Sequence, residues 1–349
     1  MKTTLPIFTG IGSVTPYGPL AGLVPPEPLE PGVITAWATP GVRRAFLVEP
    51  FRPAAVVPGL KTRRLDRLSA WALVASSLAL RDAGIDLSQL DRSRIAVLFA
   101  TGLGCVELTE AFYLSAATNG WAGTDPITFP ETLHNAPASH VALFHDLRGP
   151  NVTISSKSCA AESALLQAAS LLRHGQADLA IVLAGDTLTQ AVYEWYEAAH
   201  LLAPVCFSNE PMPSADGFIP SEGMVAMVLE PAGRQTARSY AALGAGRWAA
   251  GGDARGAVRQ LLGDLRPDFI FSAGNGAPCS STAEAYPDRD LVGENTPIYP
   301  AQAVASGMGE AGALLHLLLA LSKRPGQGQA LLLGSSAHGG YAALRLELF

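Results

Sequence analysis

The chain has 349 residues, a formal net charge of −6, and 15% charged against 48% hydrophobic residues. That length buries a large core, as one big domain or two fused halves, and weak acidity with no basic run excludes a nucleic-acid binder. No stretch of about 18 apolar residues occurs, which excludes a membrane span, and the N-terminal apolar run meets glycine too early for a secretory signal. The apolar balance points to extra surface buried in a partner. Cys105, Cys159, Cys206 and Cys279 show no metal spacing and fit reduced thiols in a cytoplasm.

Leu5 to Val14 is expected as a strand broken by Gly10 and Gly12, followed over residues 15 to 60 by a Pro- and Gly-rich surface loop with little regular structure. Leu65 to Ala83 is a helix apolar on nearly every side, as a helix buried between layers would be. Ile95 to Ala100 is a continuous apolar run, the mark of a strand covered on both faces. Thr101-Gly102-Leu103-Gly104 turns the chain into a helix over Glu107 to Ala116, and without the full dinucleotide fingerprint it is weak support for a phosphate site. A helix over Ala136 to Phe144 precedes a strand, Val152 to Ser155, and a tight turn at Ser156–Ser158.

Cys159 then opens a helix that ends at His174–Gly175, and a buried strand follows over Leu179 to Ala184. The first turn of a helix has unpaired N–H groups and the positive dipole end, and both favour a thiolate. A small buried residue is the plain alternative. Lys157 would favour the thiolate and Glu162 oppose it, unless the two pair with each other across a closed pocket. Downstream come a helix over Ala191 to His200, a strand over Met224 to Glu230, a helix over Ala254 to Leu265, a strand over Phe269 to Phe271, a helix over Gly309 to Leu321, and strands over Ala330 to Leu333 and Ala342 to Leu348. Strands alternating with helices give an α/β protein rich in parallel pairing. His316 reads as a core residue, and His134, His140 and His145 lack the spacing of a metal triad.

Gly149-Pro150-Asn151, Ser158-Cys159-Ala160, Gly175-Gln176-Ala177-Asp178 and Ala184-Gly185-Asp186 match, in order and spacing, the nucleophile region of β-ketoacyl synthases. Asp216-Gly217-Phe218-Ile219-Pro220-Ser221-Glu222-Gly223 is similar to a second motif of that family, with Asp216 and Glu222 expected to fix turns. The resemblance implies the thiolase fold: two similar α/β halves, residues 1–231 carrying Cys159 and residues 232–349, in α-β-α-β-α layers with five-stranded sheets. It also places Phe112 and Tyr113 near a dimer interface or tunnel, with ordinary core packing as the alternative.

Family members pair the cysteine with two histidines and a lysine. Held in register by Asp268, Gly274, Pro278 and Glu284, the first histidine position is Ala273; a shifted frame offers Gly274 or Asn275, and neither is a base. Held by Gly309 to Ala313, the second histidine position is Ser306 and the lysine position is Ala301. The C-terminal glycine loop reads Ala337-His338-Gly339-Gly340-Tyr341, which puts His338 where the family has phenylalanine. A Cys159–His338 pair would serve acyl transfer; otherwise His338 and Tyr341 fill a disused site.

The resemblance is strongest to chain length factors. These ketosynthase-like subunits lack the working triad and form a heterodimer, or a larger assembly, with an active ketosynthase in type II polyketide synthesis, where they shape the acyl-chain tunnel. Familiar members often replace the cysteine, whereas Cys159 remains here. The other readings are an acyltransferase or condensing enzyme using Cys159 with His338, and a homodimeric binder of acyl chains. The family implies no metal and no bound cofactor. Its substrates arrive on the phosphopantetheine arm of an acyl carrier protein.

Overall fold

A computed structural model of the chain describes residues 5–25, 29–37, 41–156, 159–203, 206, 217–233, 238–250, 254–272, 292–293, 295–300, 312–323, 326–335 and 340–349. In chain order the first part holds β1 (Pro6–Thr15), β2 (Gly18–Ala21), β3 (Gly32–Val33), β4 (Arg44–Ala45), α1 (Pro53–Val56), α2 (Arg67–Asp82), β5 (Ile95–Thr101) and α3 (Val106–Asn119). It continues with α4 (Ala136–Phe144), β6 (Asn151–Ser155), α5 (Ala160–Arg173), β7 (Leu179–Asp186), α6 (Gln190–Ala198) and β8 (Gly223–Pro231). The second part holds β9 (Ala241–Ala250), α7 (Ala254–Leu262), β10 (Phe269–Ser272), β11 (Ile298–Pro300), α8 (Gly312–Ser322), β12 (Gly328–Ser335) and β13 (Gly340–Leu348).

Among the described residues β3 and β4 pair only with each other, and the other strands follow one hydrogen-bonded path, β11-β10-β12-β13-β9-β1-β8-β7-β5-β6, with β2 beside β1. From β1 outward the pairings are antiparallel to β8, antiparallel to β7, parallel to β5 and parallel to β6. From β9 outward they are antiparallel to β13, antiparallel to β12, parallel to β10 and parallel to β11. Strand for strand, the two units of five share order and sense. The repeat that residue identities hide is therefore present in the pairing pattern. The expected pair of separate sheets is joined into one, because Ile7 and Phe8 of β1 face Ala242 and Ala241 of β9.

Alternation along each strand divides the core into layers. Val97, Phe99, Ile181, Leu183, Ala226 and Val228 face α2, whereas Ala96, Leu98, Ala180, Val182, Val225 and Met227 face α5 and α8. α5 and α8 pack between the two sheet halves, touching strands of both. On the far face of the second half, Val258, Leu261 and Leu262 of α7 cover Ile270, Leu331 and Ala343. The order is α-β-α-β-α.

Two expectations need correction. β1 is not broken at Gly10 and Gly12; it runs through both, with a register shift between Phe8 and Gly10. The glycines serve close approach instead: a Cβ at Gly12 would overlap the Ala75 carbonyl and come within 2.8 Å of the Leu78 Cβ, so β1 lies flush on α2. The stretch from 15 to 60 is more ordered than its composition implies, for it contains β2, β3, β4 and α1. Val48, Val57 and Leu60 from that stretch, with Ala138 and Val141 of α4, cover the outer side of α2. This explains why α2 is apolar almost all round while belonging to an outer layer. No helix among the described residues is long and apolar enough to cross a membrane.

Candidate functional site

The entry to α5 has an unusual backbone at Cys159. Cys159 is the residue before the first helical position and lies in the left-handed region, φ 50° and ψ 39°. A non-glycine residue held there costs roughly 1–3 kcal/mol, which surrounding structure must offset. Its carbonyl accepts the first helical bond, from Ser163 N–H at 3.0 Å. Alanines keep the helix slim: Ala160, Ala161, Ala164 and Ala168 are fully buried, so α5 fits the central layer. Gly175, at φ 65°, closes the far end, where Gly175 N–H reaches the Leu172 carbonyl and Gln176 N–H the Leu171 carbonyl at 3.1 and 2.9 Å. The helix thus runs as its sequence predicts, with Cys159 buried at the end where N–H groups are unpaired.

Glu162, one turn along, is 2% exposed. Burial raises its carboxyl to about 7, and its own backbone N–H works the other way. Opposite stands Gly334, near the end of β12. A Cβ built on Gly334 would overlap the Glu162 carboxyl and lie 3.3 Å from Cys159 Sγ. The start of α5 and the end of β12 therefore converge, bringing the two halves of the chain together at the cysteine.

A second carboxylate organises the neighbouring turn. Asp186, at the end of β7, accepts hydrogen bonds from Thr101 Oγ1 at 2.5 Å, Gly102 N–H at 3.1 Å and Leu103 N–H at 2.9 Å. Gly104 N–H donates in turn to Thr101 Oγ1 at 2.8 Å. Burial outweighs these bonds and raises Asp186 to about 6. The glycine-rich turn after β5 thus holds an internal carboxylate. The sequence marks an acid two residues past the apolar run Leu179–Ala184, but nothing in it marks the partners of that acid. Glu222 fixes turns as expected: Oε1 accepts from Val48 N–H at 3.1 Å and Arg67 Nη1 at 3.0 Å, and Oε2 from Leu188 N–H at 3.0 Å.

Phe112 and Tyr113 are not core residues. Tyr113 is 56% exposed and meets Phe112 edge-on at 5.8 Å and Trp121 at 6.3 Å; Phe112 also packs on Phe129 at 5.8 Å. Leu114, Trp121, Ile127 and Leu133 are exposed in the same region. Nearby, β6 pairs with β5 alone among the described residues and forms an open sheet edge. The three histidines have separate partners: His134 with Ser155 Oγ at 2.6 Å, His140 with Glu131 at 2.8 Å, and His145 with Ser76 Oγ at 3.1 Å. Burial lowers His145 to about 4. Burial also raises the Cys105 thiol and lifts Cys206 to about 11, which leaves both unreactive. Gly340 begins β13, where its backbone pairs with Ala250. Ala273, Ala301, Ser306, His338, Gly339, Lys157, Asp216 and Cys279 lie outside the described residues.

The sequence model of the β-ketoacyl synthase N-terminal domain matches residues 29–234. The chain belongs to the β-ketoacyl synthase family. Among relatives, 3-oxoacyl-[acyl-carrier-protein] synthase 2 of Vibrio cholerae is 27% identical over 242 residues, 64% of this chain and 57% of the relative. Nodulation protein E of Rhizobium meliloti is 30% identical over 178 residues, 50% of this chain and 43% of the relative. The chain thus matches about half the length of these relatives. Among solved structures, the ishigamide ketosynthase/chain length factor superposes with a TM-score of 0.83 at 17% identity, covering 99% of this chain and all of that one. A β-ketoacyl synthase from Burkholderia phymatum gives 0.82 at 19% identity, covering 99% of this chain and 100% of that one. These likenesses establish the thiolase-type ketosynthase fold over nearly the whole chain.

Proposed function

We propose that this chain is a chain-length-factor-like subunit. It pairs with an active β-ketoacyl-carrier-protein synthase, as a heterodimer or larger assembly, in type II polyketide or fatty-acid-like synthesis, and it shapes the tunnel that holds the growing acyl chain. Residues 1–231 form the half with Cys159 and residues 232–349 the other. Substrates come on the phosphopantetheine of an acyl carrier protein in the cytoplasm, and no further cofactor is bound.

The observation that carries this reading is a retained nucleophile turn without its family partners. Cys159 keeps the start of α5, while the aligned positions hold Ala273, Ser306 and Ala301. Condensation needs donors that stabilise the enolate formed as carbon dioxide leaves. Losing one positioned donor or base costs about 10²–10⁴-fold in rate. Condensation then falls to a partner. The exposed apolar face on α3 and the open edge of β6 support such a partner, because a monomer seldom leaves either uncovered. A second reading, acyl transfer by Cys159 with His338, is favoured by the left-handed backbone kept at Cys159.

The test is co-purification with the active ketosynthase of the same source, followed by intact-mass analysis with acyl- and malonyl-carrier protein. A one-to-one complex that makes product, and is lost on Trp121→Asp, is expected. Condensed product from this chain alone, or a homodimer indifferent to the ketosynthase, overturns the reading.

A further inference from the structure

Glu162 has no obvious structural purpose. It is the third residue of α5, and its buried neighbours near the start of the helix, Ala160, Ala161 and Ala164, are alanines. Its Oε2 is buried with no hydrogen-bond partner among the described residues. An under-satisfied buried carboxyl destabilises a fold, and any small residue would remove the cost. Yet its carboxyl and Cys159 Sγ share the space over the bare Cα of Gly334.

We propose that Glu162 is the proton acceptor for Cys159, and that the pair takes up an acyl group from a thioester. The Glu162 carboxylate takes the thiol proton as Cys159 Sγ attacks the thioester carbonyl carbon. A carbon–sulfur bond to Cys159 forms and the bond to the phosphopantetheine sulfur breaks. The proton passes from Glu162 to that leaving sulfur, so one thioester replaces another and nothing is oxidised or reduced. A carboxyl held near neutrality by burial has suitable base strength, and the N-terminal end of α5 steadies the thiolate. This exchange uses none of the enolate-stabilising groups missing at Ala273 and Ser306. A subunit unable to condense can therefore still be loaded. The same carboxylate repels the carboxylate of a malonyl group, so neutral acyl groups are the class accepted. The carrier as acyl donor rests on the function proposed above; the proton transfer does not.

The test follows alkylation of Cys159 by iodoacetamide, by intact mass of the full chain, from about pH 5 to 9, with Cys159→Ala to subtract the other thiols. Loading from octanoyl-carrier protein and from a small octanoyl thioester is measured in parallel. The wild-type rate should rise through an inflection near pH 7. In Glu162→Gln that inflection should move to the ordinary thiol range near about 8.5, and loading should fall about 10²-fold. Glu162→Asp should restore part of both. An unchanged profile in a folded Glu162→Gln, or a wild-type Cys159 that reacts at no pH, overturns the proposal. Glu162-dependent loading from the small thioester but none from the carrier upholds the proton transfer and rejects the carrier.

Discussion

Replacing Glu162 by glutamine should alter the pH dependence of stability in a defined way. The carboxyl rises from 4.5 to about 7 on folding. Well below its ordinary value both folded and unfolded chains hold the proton, and the group leaves stability unaffected. As pH rises from 4.5 toward 7, the unfolded chain releases its proton while the folded chain keeps it, so stability falls. Above the folded value the loss is complete. A shift of that size corresponds to about 3 kcal/mol, at about 1.4 kcal/mol per pH unit. Glutamine is near in shape and does not titrate, so Glu162→Gln should gain on wild type steadily across that interval. For a chain of this length, about 3 kcal/mol is about 4 °C in melting temperature. Asp66 and Asp186 are also raised by burial, to about 6 each, but they are common to both proteins and cancel in the difference. Thermal melts followed by circular dichroism at pH 5, 6, 7 and 8 read the gap directly. Parallel curves for the two proteins would refute the reasoning, because they would mean that Glu162 titrates alike folded and unfolded.

Asp186→Ala removes the acceptor for Thr101, Gly102 and Leu103 at once and should cost about 2–4 kcal/mol in urea unfolding, since one buried and two half-buried donors then lose their partner. Gly12→Val forces a branched side chain into the Ala75 carbonyl and should cost about 3 kcal/mol or more, read as loss of soluble protein or a lowered unfolding midpoint.

Most of the architecture was legible because it rests on local pattern. Unbroken apolar runs marked β5, β7 and β8, and the alanine-rich stretch closed by Gly175 marked α5. β11 escaped notice because three residues are too few to show a period. The glycines of β1 were taken for breaks because only the packed α2 reveals their use. At the site, the cysteine turn stood out through its motif. The roles of Glu162 and Asp186 did not, since Gly334 lies 172 residues from Glu162, and the turn after β5 lies 83–85 residues from Asp186. Contacts of that span leave no spacing to read. The duplicated strand order was hidden for a related reason: it is kept by backbone pairing, which alternate side chains satisfy equally well.

The register of β1 sets a timetable for synthesis. Pro6 pairs with Pro231 and Val14 with Met224, so β1 finds its long partner only when β8, more than 200 residues later, emerges from the ribosome. At usual elongation rates that delay is about 10–45 s. Until then only the short β2 hairpin occupies it. The nascent chain must shield this apolar strand throughout, which makes β1 the segment that chaperones would be expected to hold.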